Sequence, residues 1–497
     1  MATQALRHAL TILLAAVLTR LLSKEQLGTF RQLDLVLGFL MGILGLKIGQ
    51  TLYYYLPSTR LRQRRPLVVQ SLLLSLVCSA LMGAVMYASA TPVARILHND
   101  SLALLLRIYS LYPLVMTVTD VVPSFLVSLD RALAGGSYTV GASLVRLLSV
   151  VVLTLMGYSL ITAVWSMVVA GMFFVLLGAL IMLRMSPGRG LPLDVPLLRS
   201  QVAYAAPLLA TTVMAVLNMQ YDKALISIFF DPQVYAVYSC GAMELPLVDI
   251  VTFSFTAAAM PILVQLYARG EKTQALRVWH EATRKSALVM MPSFVLLLVV
   301  AQDLIILLFG PSYARAAPPF AVYLGLLPLR VAIYGAVIRA AGQTRPIAIG
   351  AAIGLITNVL ISTLLVWLGR GALLSYLGPS IGTIIAQFAA SCYMLEVIRR
   401  INDVHWADVM PWRQLWALFL ASLMAGAGVF VVPMGALPLV VRLAARTALF
   451  AALLALIIWK GNLLQPEEKQ LLRSLAVRRL RRTELMSTAA SDQERQP

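Results

Sequence analysis

Apolar stretches of roughly twenty residues follow one another along most of the chain, separated by short polar loops. A hydrocarbon core about 30 Å thick requires about 20 apolar helical residues to cross it. The pattern therefore predicts an all-α integral membrane protein with about fourteen transmembrane helices. The predicted spans are residues 4–22, 33–55, 67–88, 103–127, 138–157, 160–183, 203–229, 234–266, 287–309, 317–338, 346–368, 372–397, 413–432 and 437–459.

Positive charge falls almost wholly in the loops that follow the even-numbered spans. The basic residues of these loops are Arg60, Arg62, Arg64, Arg65, Arg131, Arg184, Arg189, Arg199, Arg269, Lys272, Arg277, Arg284, Lys285, Arg339, Arg345, Arg399, Arg400 and Arg413. Those of the odd-numbered loops are little more than Lys24, Arg95, Arg315 and Arg370. By the positive-inside rule the even-numbered loops are cytoplasmic, which places both termini in the cytoplasm.

The composition excludes a water-soluble globule. Hydrophobic residues make up 60% of the 497 residues and charged residues 12%, so a folded chain in water would expose a large apolar surface. The formal net charge of +19 lies in loops and tail, so we expect anionic lipids as partners and no nucleic acid. The tail after Lys460 predicts a basic amphipathic helix on the inner leaflet, and a tail that only fixes topology explains the same residues.

No cleavable signal, metal site, cofactor or catalytic cluster is predicted. The residues up to Leu22 have no small-residue cleavage site, so we interpret them as the first span. The cysteines Cys78, Cys240 and Cys392 lie in different apolar stretches without CxxC spacing, which is typical of buried hydrophobic positions. Because Gly-rich phosphate loops and Ser/His/Asp clusters are also missing, we expect a transporter and not an enzyme.

An internal repeat emerges when the chain is slid against itself so that residues 22–30 fall on residues 230–238, because Arg131 then falls on Arg339. Six spans separate the copies, so both halves have the same orientation. We therefore expect two six-helix lobes related as parallel repeats, with two further helices at the C-terminus. The predicted domains are an N-lobe at 1–200, a C-lobe at 201–400, a helix pair at 401–460 and a basic cytoplasmic tail at 461–497.

Two short stretches resemble a known family. Residues 20–30, Arg-Leu-Leu-Ser-Lys-Glu-Gln-Leu-Gly-Thr-Phe, resemble the signature of polysaccharide flippases of the multidrug/oligosaccharidyl-lipid/polysaccharide exporter superfamily, in which a Ser-X-X-X-X-Gly loop joins the first two helices. Residues 220–238 resemble the seventh-helix pattern of the same family, an Asp-Lys pair followed by a short loop and a tyrosine. The sequence departs from the family at Ala236, where the second copy usually has glycine.

The resemblance implies a function and a location. Polysaccharide flippases move an undecaprenyl-diphosphate-linked oligosaccharide, such as an O-antigen, capsule or exopolysaccharide repeat unit, across the bacterial inner membrane. The implied partners are this lipid-linked oligosaccharide and the polysaccharide polymerase or export machinery. Since related folds also export drugs, the implied substrate depends on analogy.

Ionisable side chains at membrane depth are where we expect the substrate path, because each costs a few kcal/mol to insert unless it meets a partner or water. A diphosphate requires cations, and arginine can bind phosphate oxygens bidentately. The candidates for the diphosphate or the cavity are Arg31, Lys47, Arg146, Lys223, Asn218 and Gln220. The candidates for a coupling proton or sodium ion are Asp34, Asp222, Glu244 and Asp249. Mutual pairing or snorkelling to the interface explains the same charges structurally.

Three alternatives to an oligosaccharide flippase working by alternating access stay open. A cation-coupled multidrug exporter of the same superfamily predicts an acidic and aromatic cavity with few inward-facing cations. A peptidoglycan-precursor flippase is compatible with every residue named above. A membrane-embedded glycosyltransferase or polysaccharide polymerase predicts a large periplasmic loop, whereas every odd-numbered loop is short.

Overall fold

The structure is a computed structural model that describes residues 2–59, 64–186, 194–243, 246–369 and 373–463. These residues form helices joined by short turns, and no β-strand occurs among them, which confirms the all-α fold class. The helices are α1 (Ala2–Leu21), α2 (Lys24–Leu44), α3 (Ile48–Ser58), α4 (Arg64–Ala88), α5 (Ala90–Ile96), α6 (Ser101–Tyr109), α7 (Tyr112–Val127), α8 (Ala132–Leu155), α9 (Leu160–Arg184), α10 (Val195–Phe229), α11 (Pro232–Gly241), α12 (Pro246–Ala268), α13 (Lys272–Val299), α14 (Ala301–Phe309), α15 (Ala317–Leu324), α16 (Leu326–Leu329), α17 (Tyr334–Ala340), α18 (Arg345–Gly369), α19 (Leu373–Asn402), α20 (Trp412–Val431) and α21 (Leu439–Lys460). A 3-10 helix, Pro311–Ala316, lies between α14 and α15.

Within the described residues, eleven helical segments are long and apolar enough to cross a membrane. A twelfth is added if α6 and α7, which bend by 43° at their junction, form one span. The predicted count of about fourteen is not confirmed and stays a prediction, because α1 and α10 are helical but are not among the eleven. We refer to α1–α9 as the N-lobe and to α10–α19 as the C-lobe.

The second predicted span, residues 33–55, has the wrong boundaries. Helix α2 begins well before residue 33, at Lys24, and a break at residues 45–47 separates it from α3. The Ser23 hydroxyl accepts a hydrogen bond from the Gln26 amide at 3.2 Å, and the Gln26 side-chain oxygen accepts one from the Ser23 amide at 3.1 Å. This capping box satisfies two backbone amides that would otherwise lack partners. The segment expected to be a loop, residues 23–32, is therefore the cap and about the first two and a half turns of α2.

The first landmark of the internal repeat recurs in the structure. Ser23 precedes α2 with φ −63° and ψ 158°, and Asp231, its predicted equivalent, precedes α11 with φ −61° and ψ 155°. These two helix starts also lie against each other, since a Cβ on Gly28 would collide with the carbonyl oxygen of Pro232. The glycine of the family signature is therefore required where the two copies meet.

The second landmark of the repeat is wrong. Asp130 and Gly342 occupy the left-handed region, with φ 59° and 76°, in the equivalent turns that follow α7 and α17. The predicted alignment places Asp130 on Ile338, which precedes this turn. Arg131 follows the first turn and Arg339 precedes the second, so the two arginines are not equivalent. The second copy is therefore longer than the first between the two landmarks.

Helix α2 connects the two lobes, packing along α10 and α11. Gly38 and Gly42 lie at i and i+4 on one helix face, and a Cβ on either would collide with a side chain of α10. Small residues at this spacing let two helices approach closely in a membrane. The amide of Gln32 donates a buried hydrogen bond to the Ser227 hydroxyl of α10 at 2.9 Å. The site described below lies beside this contact.

Helices α20 and α21 attach to the C-lobe through α13 and α14. Asp303 on α14 accepts hydrogen bonds from Arg442 at 2.6 Å and from Arg446 at 2.7 Å, both on α21. The side chain of Asp303 is only 6% exposed, and the two arginines compensate this buried carboxylate. The sequence reasoning missed this three-residue ion cluster, which fastens the C-terminal helix pair.

Candidate functional site

A cavity of about 320 Å³ lies between the two lobes and is lined by residues of α1, α2, α10, α11, α12 and α14. We call it the interlobe cavity. Its polar lining residues are Thr11, Arg31, Asp34, Gln220, Lys223, Tyr235 and Ser239. Four of the predicted site residues, Arg31, Asp34, Gln220 and Lys223, are thus brought together by helices from both halves of the chain.

The two cations of the interlobe cavity lack anionic partners within the part of the chain that the structure describes. Lys223 Nζ makes one hydrogen bond, at 3.5 Å, to the carbonyl oxygen of Met219. Arg31 has a buried Nε without an acceptor, and no carboxylate of a described residue forms an ion pair with either side chain. A cation at membrane depth without an anionic partner is costly, so this cavity favours an anionic ligand.

The third predicted cation, Arg146, is already neutralised. Its guanidinium donates to Asp34 Oδ1 at 3.1 Å, and the Tyr109 hydroxyl donates to the same oxygen at 3.3 Å. The guanidinium also lies 5.5 Å from the ring centroid of Tyr112, whose ring stacks on Tyr109 at 4.5 Å. Asp34 therefore neutralises the charge of Arg146. Arg31 and Lys223 are left as the unmatched pair, the two cavity cations without an anionic partner among the described residues.

A second cavity, of about 450 Å³, lies within the N-lobe between α1, α7, α8 and α9. We call it the N-lobe cavity. Its polar lining residues are Thr11, Tyr112, Thr119, Asp120, Thr139, Ser143 and Arg146. Thr11 lines both cavities, and the Asp34–Arg146 pair joins a residue of one to a residue of the other. The two cavities are therefore neighbours separated by an ion pair.

Adjacent residues of α10 have opposite roles. Lys223 lines the interlobe cavity, whereas Asp222 is 1% exposed and accepts hydrogen bonds from the hydroxyls of Tyr238, at 3.3 Å, and Tyr323. Successive helical residues point about 100° apart, so only one of them can face the cavity. The predicted coupling residue Asp222 is a buried carboxylate held by two phenols.

Asn218, predicted as a cavity residue, belongs to a polar network inside the C-lobe. The amide of Asn358 donates to the Asn218 backbone oxygen at 3.1 Å and to its side-chain oxygen at 3.0 Å. The Ser362 hydroxyl donates to the Asn358 side-chain oxygen at 2.7 Å. Asn358 is fully buried, so this network connects α10 to α18 and Asn218 does not line the interlobe cavity.

The predicted roles of three further candidates are not tested by the structure. Lys47 lies in the break before α3 and is not among the residues that line either cavity. Glu244 lies outside the described residues, as does the side chain of Asp249. For these positions the predicted roles stay predictions.

The sequence reasoning missed the hydroxyl groups of the N-lobe cavity. Thr139, Ser143 and Arg146 are spaced at i, i+4 and i+7 on α8, which places them on one face of a helix. This spacing was visible in the sequence, and it marks a polar stripe on an otherwise apolar span. Tyr235 was also missed; it lines the interlobe cavity and its hydroxyl donates to the Arg31 carbonyl oxygen at 3.4 Å.

The chain shares its fold with membrane transporters. The lipid II flippase MurJ, in an inward closed conformation, is 13% identical, with a TM-score of 0.60 over 87% of this chain and 98% of that chain. An inward-facing multidrug resistance MATE family transporter of the MOP superfamily is 13% identical, with a TM-score of 0.62 over 81% of this chain and 96% of that chain. An outward-facing MATE family transporter gives a TM-score of 0.51 at 12% identity, over 81% and 95% of the two chains.

Sequence comparison adds a family assignment. The family model described as "Polysaccharide biosynthesis protein" matches residues 17–318, which is more than half of the chain. No curated protein matches the sequence significantly. The matched region contains both lobe-joining segments, α2 and α11, and every described residue that lines either cavity except those of α1 before residue 17.

Proposed function

Because the chain belongs to the polysaccharide biosynthesis protein family, we propose that it flips an undecaprenyl-diphosphate-linked oligosaccharide across the inner membrane by alternating access. The family and the fold are those of transporters and flippases and not of enzymes. The chain is a multi-pass membrane protein of the MOP type. The alternation of basic loops supports cytoplasmic termini for this protein.

The observation that carries the proposal is the unmatched pair Arg31 and Lys223 in the interlobe cavity. One comes from α2 of the N-lobe and the other from α10 of the C-lobe, so an anion bound between them contacts both lobes at once. Charge-assisted hydrogen bonds to phosphate are roughly twice as strong as neutral ones. A diphosphate headgroup fits this arrangement, with Gln220 as an additional polar contact.

The contact between α2 and α10 supports alternating access. It is built on Gly38 and Gly42, whose lack of side chains lets α2 and α10 approach closely. An anion that bridges Arg31 and Lys223 strengthens the attraction between the lobes, and its release weakens it. Substrate occupancy and lobe rocking are thereby coupled through the same two cations.

The rival functions differ in the charge they require. A drug exporter for cationic amphiphiles requires an acidic cavity, and the described lining of the interlobe cavity contains two cations and one carboxylate, Asp34, which is already paired. A peptidoglycan-precursor flippase carries a diphosphate as well, so its cavity charge would be the same. Only the identity of the accumulated lipid separates an oligosaccharide flippase from a peptidoglycan-precursor flippase.

The test is the amount of undecaprenyl-diphosphate-linked oligosaccharide in the inner leaflet of the native host after deletion of the gene. We expect the lipid to accumulate, a plasmid with the parent sequence to cure the accumulation, and plasmids with Arg31→Ala or Lys223→Ala to fail. Arg107→Ala is the matched control, because Arg107 is exposed and lies over the ring of Tyr87, 5.8 Å from its centroid. Immunoblots establish that all variants reach the membrane equally.

Each other result points elsewhere. Accumulation of the peptidoglycan precursor would identify a precursor flippase. Normal glycolipid levels with altered drug susceptibility would identify an exporter. Full complementation by both cavity variants would contradict the role of Arg31 and Lys223 in binding the diphosphate.

A further inference from the structure

We propose that the N-lobe cavity binds the saccharide part of the substrate while the interlobe cavity holds its diphosphate. The inference rests on the proposed function, which supplies a substrate with these two parts. It assigns the second cavity to a ligand rich in hydroxyl groups and predicts that this cavity decides which glycan length is transported.

The hydroxyl groups of the N-lobe cavity are prepared to accept hydrogen bonds. Thr119 donates to the Val115 carbonyl oxygen at 2.7 Å, Thr139 to that of Gly135 at 2.9 Å, and Ser143 to that of Thr139 at 2.9 Å. Each hydroxyl can donate one hydrogen bond, and here it donates that bond to a carbonyl oxygen of its own helix. The remaining lone pairs can only accept, so the cavity matches a ligand that carries many O–H donors.

The charge of the N-lobe cavity disfavours the diphosphate. Its one cation among the described lining residues, Arg146, is paired with Asp34 at 3.1 Å, and the lining also contains the carboxylate residue Asp120. An anion entering this cavity would have to displace Asp34 from Arg146. A neutral polyol meets no such competition and can still accept from or donate to the same groups.

The dimensions of the N-lobe cavity also suit a saccharide. Small residues, Ala142, Ala170 and Gly171, line it on α8 and α9, which leaves about 450 Å³ of space. Stacking on Tyr112 is disfavoured, because Tyr109 stacks on its ring and the Arg146 guanidinium lies 5.5 Å from the ring centroid. Recognition therefore depends on hydrogen bonds and on volume.

The relative position of the cavities fits a lipid-linked glycan. Thr11 borders both, and Asp34 in the first is bonded to Arg146 in the second. A diphosphate between Arg31 and Lys223 thus has the start of its glycan beside the ion pair and the remainder in the N-lobe. The Asp34–Arg146 pair marks the junction between the two subsites.

The experiment compares two substrates of the full-length protein in proteoliposomes: undecaprenyl diphosphate carrying one sugar, and the same lipid carrying the complete repeat unit. Ala170→Leu fills the N-lobe cavity. We expect it to slow flipping of the complete unit by about tenfold, which corresponds to about 1.4 kcal/mol, while the one-sugar lipid changes by less than about twofold. Val169→Leu is the matched control, because Val169 is on the same helix but 65% exposed.

A second variant keeps the test informative if Ala170→Leu fails to fold. Thr139→Val with Ser143→Ala removes two acceptors without filling the cavity, and we expect a selective loss on the complete unit of about threefold. Equal effects of Ala170→Leu on both substrates, or none on either, would overturn the saccharide subsite and leave the flippase proposal standing. If the parent protein flips neither lipid, the proposed function itself fails.

Discussion

Equivalent helix pairs have different uses in the two lobes. In the N-lobe, α8 and α9 leave a cavity around Arg146, which follows the left-handed turn at Asp130. In the C-lobe, α18 and α19 pack tightly around Asn358, which has the same place in the chain relative to the left-handed turn at Gly342. A cation beside an open space in one copy corresponds to a neutral, fully buried amide in the other.

The closure of the C-lobe pair has a steric cause. A Cβ on Gly382 of α19 would collide with the Ser362 hydroxyl of α18, and one on Gly378 would collide with Leu365. Asn358 uses both amide hydrogens on Asn218 and accepts from Ser362, so its hydrogen-bonding groups are satisfied by protein. The N-lobe pair therefore leaves an open space where the C-lobe pair is closely packed.

The largest expected effect comes from exchanging the two equivalent residues for leucine. Asn358→Leu removes the donors to Asn218 and the acceptor of Ser362, and we expect it to cost about 3 kcal/mol of stability. Arg146→Leu should lower transport with a smaller loss of stability, because its side chain borders a cavity and is 28% exposed. Thermal unfolding in detergent measures the stability of both variants. Equal shifts of the two midpoints would break the comparison between the lobes.

A smaller effect is expected from adding one methyl group in each lobe. Gly382→Ala forces α18 and α19 apart and should destabilise the protein by about 2 kcal/mol. Gly141→Ala on α8 should be nearly neutral, because its Cβ would lie 3.6 Å from the Phe174 ring, an ordinary van der Waals distance. Chemical denaturation of the purified variants tests this. Similar losses for both glycines would show that the N-lobe pair is packed as tightly as the C-lobe pair.

The smallest expected effect sharpens the role of the N-lobe ion pair. Asp34→Asn frees the charge of Arg146 and removes a carboxylate from the interlobe cavity, so we expect undecaprenyl diphosphate to bind about tenfold more tightly, or about 1.4 kcal/mol. The measurement is the Kd of the purified protein at two salt concentrations. Asp231→Asn, an exposed carboxylate before α11, is the control. Weaker binding by Asp34→Asn would mean that Asp34 acts by positioning Arg146.

The helices of this protein follow from local sequence more closely than its site does. Helical spans were predictable because crossing the hydrocarbon imposes a length and an apolar composition that are local properties of the chain. The start of α2 is also set by neighbouring residues, through the capping box of Ser23 and Gln26. The break at residues 45–47 has a local signal as well, because Gly45 is the C-cap of α2 and glycine commonly ends a helix.

Four cations had equal standing in the sequence, and packing separated them. Arg31 and Lys223 line the interlobe cavity, Arg146 is neutralised by Asp34, and Lys47 lines neither cavity. The partner of Arg146 lies on a different helix, far away in sequence, so no local pattern could identify it. The sequence showed which residues carry charge but not which charges are compensated.

By itself the sequence determined that the chain is a helical membrane protein and where most of its spans lie. It did so because membrane insertion and helix capping depend on neighbouring residues. Tertiary structure alone decided that Lys223 faces the interlobe cavity while Asp222 is buried against Tyr238 and Tyr323. That choice depends on how α10 is rotated against α2 and α11, and helix rotation is set by packing between residues distant in sequence.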